Sequence, residues 1–90
     1  MDGRARVARN VRRLRVAAGL SQEAFAVDAG LDRTYVSRIE RNLENPTVSA
    51  LEKIAHALGV DIVELVKDVP ASRTQLPTLP PGRKSGSRRR

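Results

Sequence analysis

The chain has 90 residues, of which 40% are hydrophobic, 30% are charged and none is cysteine. This length suits one small domain, and the lack of thiols excludes disulfides, thiolate catalysis and cysteine-bound zinc or iron–sulfur clusters. The chain has neither the roughly 18 apolar residues of a membrane span nor the apolar run of a secretory signal. We therefore expect a cytoplasmic protein.

The net charge of +7 is unevenly distributed along the chain. Six arginines and one acid lie in residues 1–15, and six bases and no acid lie in residues 70–90. The segment between them is acidic overall. This asymmetry favours a polyanionic partner, nucleic acid before membrane; a solvated arginine face that keeps the protein soluble is the alternative.

Periodicity places the first two helices at residues 4–18 and 22–29. The first ends at Gly19, and the second begins after the cap Ser21 and ends at Gly30. Their predicted inward-facing side chains are Val7, Val11, Leu14, Ala18, Phe25, Ala26 and Ala29.

The third helix is predicted at residues 33–41, the fourth after Pro46 as far as Leu58, and the fifth at residues 62–67. The predicted caps are Asp32, Thr47 and Asp61, the last with Glu64 in capping-box spacing. Gly59 ends the fourth helix, and no segment is typical of a strand. The predicted fold is all-α.

The composition changes near Pro70. Residues 70–90 hold four of the five prolines, and only Leu76 and Leu79 are large aliphatic residues there. Such a segment buries too little apolar surface to offset its chain entropy. We predict a domain over residues 1–69 and a disordered basic tail over residues 70–90.

The second and third helices are joined by a very short turn, which is typical of a helix-turn-helix unit. Ala26 is small enough for the two helices to approach closely, and Gly30 can take a positive φ in the turn. Val36 and Ile39 then fill the angle between the helices.

The segment GLSQEAFAVDAGLDRTYVSRIERNLENPTVSALEKIAHALGV, residues 19–60, resembles the lambda-repressor-like Cro/CI (XRE) regulators. Residues 31–42, LDRTYVSRIERN, are most similar to the controller proteins of bacterial restriction–modification systems. This resemblance implies a compact five-helix domain that binds double-stranded DNA, associates with the nucleoid and controls its own operon as a homodimer. The basic tail and Glu44, which stands where controllers often have a base, depart from the controller pattern.

The outward face of the third helix is predicted from a rotation of about 100° per residue. It carries Arg33, Thr34, Ser37 and Arg38, whereas Val36 and Ile39 lie opposite. Arginine and hydroxyl side chains are typical readers of base edges in the major groove. The resemblance places base contacts at Arg33, Thr34 and Arg38; ordinary solvent exposure is the alternative.

Other contacts follow from the resemblance. It implies that Gln22, at a helix N-terminus, donates to a DNA phosphate. Ser21 beside it is a further candidate for a contact with the DNA backbone, with a role as a helix cap alone as the alternative. Tyr35 would reach toward DNA, although a half-buried tyrosine that closes the core is an equal alternative. Arg41 and Asn42, just after the recognition helix, are expected to lie near phosphate.

The resemblance also implies a salt bridge from Glu40 to Arg15 that holds the first helix against the third and orients the arginine. Arg9, Arg12 and Arg13 are expected to be mostly solvated, with contact to DNA phosphate as the alternative. His56 is the single histidine and has no partner for a metal site, so we expect no metal and no cofactor.

The fifth helix has more apolar residues than one core-facing stripe can use. The surplus predicts a two-fold interface formed by Val60, Ile62, Val63, Leu65 and Val66. A homodimer would place two recognition helices about 34 Å apart on a roughly palindromic operator. The alternative is that the surplus apolar side chains of the fifth helix pack against the segment of chain that leads to the tail.

These features predict a sequence-specific transcription regulator and not an enzyme, since no nucleophile–base pair or phosphate loop is present. Two alternatives stay open. One is an antitoxin-type DNA-binding protein whose tail binds a protein partner. The other is a non-specific nucleic-acid binder led by the tail.

Overall fold

Five α-helices form the part of the chain that the computed structural model describes, residues 2–69. They are α1 (Gly3–Ala17), α2 (Gln22–Ala29), α3 (Arg33–Glu40), α4 (Val48–Leu58) and α5 (Val63–Val66). This range contains no strand, in agreement with the all-α prediction. None of the five helices is long and apolar enough to cross a membrane. The predicted tail, with Leu76 and Leu79, lies outside the described residues.

Four helices begin at a side chain that accepts a hydrogen bond from the first helical turn, which satisfies an otherwise unpaired N–H group. Ser21, Asp32 and Thr47 cap α2, α3 and α4 as predicted, with distances of 2.9–3.0 Å. Asp2 caps α1, with its Oδ1 2.8 Å from the amide nitrogen of Ala5. This cap explains why α1 begins one residue earlier than periodicity predicts.

A short left-handed turn sets the angle between α2 and α3. Gly30 has φ 69°, and the N–H of Leu31 donates to the carbonyl of Ala26 over 2.9 Å. A residue with a Cβ would be strained at this φ, so the glycine closes α2 within one residue. Ala26 is 3% exposed, in keeping with close approach of the two helices.

The core lies where all five helices meet. α1 packs against α3 and α5, and α2 packs against α3 and α4. The largest fully buried apolar side chains are Phe25, Ile39, Ile54, Leu65, Val11 and Val36. Their burial is the main favourable contribution to folding, at about 1.5–3 kcal/mol for each large side chain.

Helix α3 ends one residue earlier than predicted. Asn42 adopts a positive φ of 60°, and the N–H of Leu43 donates to the carbonyl of Arg38 over 2.8 Å. This bond turns the chain back over the end of α3, so Arg41 becomes the C-cap.

Helix α5 is shorter than predicted at both ends. Asp61 Oδ1 accepts from the N–H of Val63 over 2.9 Å, but Glu64 pairs with Lys67 over 2.8 Å and does not complete a capping box. At the other end, the buried amide of Asn10 donates to the carbonyls of Leu65 and Lys67. The end of α5 is therefore tied to α1 and does not continue as helix.

Candidate nucleic-acid interface

The two faces of α3 differ sharply in burial. Val36 is 0% exposed and Ile39 is 2% exposed, so these side chains anchor the helix in the core. On the other side, Arg33, Thr34 and Arg38 are exposed and Ser37 is half-buried. The structure thus brings the four predicted base-contacting residues to one outward surface.

A buried ion pair joins α1 to the end of α3. Arg15 Nε lies 2.7 Å from Glu40 Oε2 and Arg15 Nη2 lies 3.1 Å from Glu40 Oε1, a two-point contact. The side chains are only 11% and 2% exposed. Arg15 Nη1 also donates to the carbonyl of Leu20 over 2.7 Å. We call Arg15–Glu40 the inner pair.

Gln22 contacts the inner pair from the start of α2. Its Nε2 donates to Glu40 Oε1 over 3.1 Å, so one of its two N–H groups is already used within the protein. Beside it, the Ser21 hydroxyl accepts from the N–H of Ala24 over 3.0 Å and stays exposed. The sequence did not reveal that Gln22 meets Glu40, 18 residues away.

A second ion pair lies on the outward side of α3. Arg38 Nε lies 3.0 Å from Glu44 Oε2, and Arg38 Nη2 donates to the carbonyl of Leu43 over 2.9 Å. The two charged side chains are 45% and 32% exposed. We call Arg38–Glu44 the outer pair.

The remaining predicted DNA neighbours surround α3. Tyr35 is half-buried and packs against the core, which is the geometry of the core-closing alternative. Arg41 and Asn42 are both exposed at the end of the helix.

The predicted interface residues separate into three groups. Leu65 is 0% exposed and belongs to the core, so its assignment to a subunit interface is wrong: the stripe that faces α1 uses it. Val60 and Ile62 are half-buried against the core. Val63 and Val66 are 56% and 39% exposed and form an apolar surface on α5.

Asn10 is a structural residue that the sequence analysis missed. Its side chain is 0% exposed, and its Oδ1 accepts from Arg13 Nη2 over 3.2 Å while its amide holds the end of α5. Position 10 follows Val7 by three and precedes Leu14 by four, the spacing of the apolar stripe. That spacing could have indicated a buried polar group.

The arginines of α1 are used partly inside the protein. Arg9 Nη1 donates to the carbonyl of Val69 over 2.7 Å, which ties the chain to α1 where the described residues end. Arg12 is exposed on the same helix. His56 is exposed, and residues 2–69 contain no group of three or more residues of the types His, Cys, Asp and Glu that could hold a metal ion.

The helices α2 and α3 are short, are joined by a tight glycine turn, and leave the polar face of α3 exposed while α3 packs against α1 and α2. This arrangement defines a helix-turn-helix domain of the lambda-repressor type. The model of the helix-turn-helix family matches residues 11–65. The chain belongs to this family, in its XRE branch.

Curated and solved relatives agree with this assignment. A hypothetical transcription factor of Neisseria meningitidis serogroup B is 48% identical over 77 residues, 86% of this chain and 72% of the relative. A crystal structure of a hypothetical Neisseria transcription factor is also 48% identical, with TM-score 0.71 and 79% of each chain covered.

Restriction–modification controller proteins are also similar. C.AhdI from Aeromonas hydrophila is 40% identical with TM-score 0.67, over 69% of this chain and 94% of that one. C.Esp1396I bound to a 25 base pair operator site is 38% identical with TM-score 0.66, over 71% and 86% of the two chains. These relatives are transcription regulators or controller proteins by name.

Proposed function

We propose that this protein is a sequence-specific transcription regulator that binds double-stranded operator DNA as a homodimer. We propose further that its own operon is among those that it controls. The observation that carries the proposal is the outward face of α3. Exposed arginine and threonine side chains lie on this face, and buried side chains on the opposite face of the helix pack in the core. The operator complex of a 38% identical neighbour supports DNA as the partner.

Base reading is assigned to the first half of α3 and to Arg38. Arg33 and Thr34 lie in the first turn, which is the part of a recognition helix that enters the major groove most deeply. Arginine can donate two hydrogen bonds to guanine, and threonine offers a hydroxyl and a methyl group. Ser37 lies one turn after Arg33 on the same face.

Phosphate contacts are assigned to the start of α2 and the end of α3. The N-terminus of α2 favours an anion because its first N–H groups point out of the helix. One N–H group of the Gln22 amide donates to Glu40, and the second stays available for a phosphate. The Ser21 hydroxyl, which accepts from Ala24, can also donate to a phosphate. Arg41 and Asn42 are exposed at the other end of α3.

The dimer is assigned to the exposed apolar surface of α5. Val63 and Val66 are exposed while Leu65 between them is buried, so the helix has a core face and a second apolar face. Burial of that face against a second copy would remove apolar surface from water and would place two α3 helices on one duplex.

Selection from a random duplex pool at near-physiological salt tests the function. We expect enrichment of a short inverted repeat whose half-sites are about one helical turn apart. A pool that stays random would reject sequence-specific binding, and a single unrepeated site would reject the dimer.

The tail alternatives can be separated in the same assay. Deletion of residues 70–90 is expected to keep the selected base preference and to weaken binding mainly through lost charge, with a shallower salt dependence. Loss of all binding on deletion would favour a tail-led binder.

Sedimentation of the Val63→Glu variant tests the α5 interface. A charge in a closed apolar interface is costly, so this variant is expected to sediment as a monomer at concentrations where the parent is a dimer. Val16→Glu is the matched control, because Val16 is 57% exposed and lies on α1. Equal sedimentation of the two variants would place the interface elsewhere.

A further inference from the structure

The outer pair is unusual because it puts an acid on the surface that, under the proposed function, meets DNA phosphates. Glu44 lies in the loop after α3, 32% exposed, with its carboxylate on Arg38. A carboxylate at this place repels phosphate, so its presence needs a physical reason.

The loop that carries Glu44 is held by the end of α3. Asn42 N–H donates to the carbonyl of Ile39 over 3.0 Å, and Leu43 N–H donates to the carbonyl of Arg38 over 2.8 Å. The Arg38 side chain in turn donates to the carbonyl of Leu43. Residues 38 and 43 are thus joined through backbone and side chain, and Glu44 follows directly.

This arrangement uses only part of the hydrogen-bonding capacity of Arg38. A guanidinium has five N–H groups. One on Nε goes to Glu44 and one on Nη2 goes to Leu43, and no hydrogen bond from Nη1 is present within residues 2–69. Three N–H groups on Nη1 and Nη2 therefore stay available, and a guanine edge accepts two.

From this geometry we propose that Glu44 is a specificity-determining residue that positions Arg38 to read a guanine and opposes its use as a general phosphate contact. The inference rests on the proposed function. Two contacts hold the guanidinium before DNA arrives, which lowers the loss of side-chain freedom on binding. The negative charge also penalises complexes in which Arg38 meets only phosphate.

The test uses the full chain and four proteins: the parent, Glu44→Ala, Arg38→Ala and the double variant. Each is put through selection from random duplex DNA. Its Kd is then measured at one salt concentration for the selected operator, for every single-base-pair change in it, and for random duplex. Thermal unfolding of each protein is recorded alongside.

We expect Arg38→Ala to abolish preference for a guanine at one position of each half-site. Glu44→Ala should lower discrimination at that same position by about three- to tenfold, part of what a bidentate pair provides. It should tighten binding to random duplex by about two- to threefold, because one repelling charge is gone. In the Arg38→Ala background, Glu44→Ala should leave the base profile unchanged.

Glu52→Ala is the matched control, since Glu52 is an exposed acid on α4. It should keep the base profile of the parent. A merely structural role of Glu44 would lower affinity equally at every position, together with the unfolding temperature, and would overturn the inference.

Two further outcomes would also overturn it. In one, Glu44→Ala tightens all duplexes by one factor and keeps every base preference, so the acid acts only as a repelling charge. In the other, Arg38→Ala changes no single position. A parent protein without any base preference would instead reject the proposed function itself, which keeps the two failures distinct.

Discussion

The inner and outer pairs each join an arginine to a glutamate, and each has one partner on α3. The two pairs nevertheless differ greatly in burial. The inner Arg15–Glu40 pair is 11% and 2% exposed, whereas the outer Arg38–Glu44 pair is 45% and 32% exposed. Their shortest distances are similar, at 2.7 and 3.0 Å. Burial, more than distance, therefore decides what each pair does.

Burial changes the energetics of an ion pair in a definite way. Removal of one partner from a buried pair leaves an uncompensated charge in a poorly solvated place, whereas water and salt replace a lost partner at the surface. The inner pair accordingly holds α1, α2 and α3 together. The outer pair is free to serve binding, because little stability depends on it.

The largest expected effect is that of breaking the inner pair. Glu40→Ala should lower the free energy of unfolding by about 3–5 kcal/mol, since Arg15 would stay buried without its carboxylate. Denaturant unfolding followed by circular dichroism measures this change. Glu52→Ala, an exposed acid on α4, is the control. Equal stabilities of the two variants would show that the inner pair does not hold the helices.

An intermediate effect, on binding alone, is expected at the exposed start of α3. Arg33→Ala should weaken operator binding by about 1–3 kcal/mol and relax preference at one base pair of each half-site. Its free energy of unfolding should change by no more than about 0.5 kcal/mol, as for other surface substitutions. Titration of operator variants, followed by fluorescence anisotropy, measures the binding.

Arg12→Ala is the matched control for this substitution, because it removes an exposed arginine from α1. It should lower affinity for every duplex by a similar small factor. The same loss of base preference in Arg33→Ala and Arg12→Ala would count against α3 as the recognition helix.

The smallest expected effect is that of the outer pair on stability. Glu44→Ala should change the free energy of unfolding by less than about 1 kcal/mol, and by still less at high salt, as for other exposed pairs. Unfolding in low and high salt, beside Glu40→Ala, checks this. A loss as large as that of Glu40→Ala would remove the distinction between the two pairs.

Much of the fold follows from residues near one another in sequence. The hydrogen bonds of the caps Ser21, Asp32 and Thr47 span two or three residues, and those of the left-handed glycines at positions 30 and 59 span three or four. The arginine and hydroxyl side chains on the outward face of α3 follow from the rotation of about 100° per residue along a helix. Short-range chemistry of this kind is readable from the sequence because the partners are already adjacent.

The α5 region shows where prediction from short-range sequence patterns fails. Periodicity indicates that its apolar residues exceed one stripe, but it does not say which of them the core takes. Packing on α1 buries Leu65 and leaves Val63 and Val66 exposed. The hydrogen bonds of Asn10 to Leu65 and Lys67 span 55 and 57 residues, and they end the helix early.

The sequence by itself thus determined the five helices, the caps of α2, α3 and α4, the helix-turn-helix unit and the polar face of α3. Only the tertiary structure decided that Gln22 donates to Glu40, that Leu65 belongs to the core and that Glu44 holds Arg38. The physical reason is distance along the chain. Helix periodicity and capping are local, whereas burial and the pairing of charged groups depend on which distant segments the folded chain brings into contact.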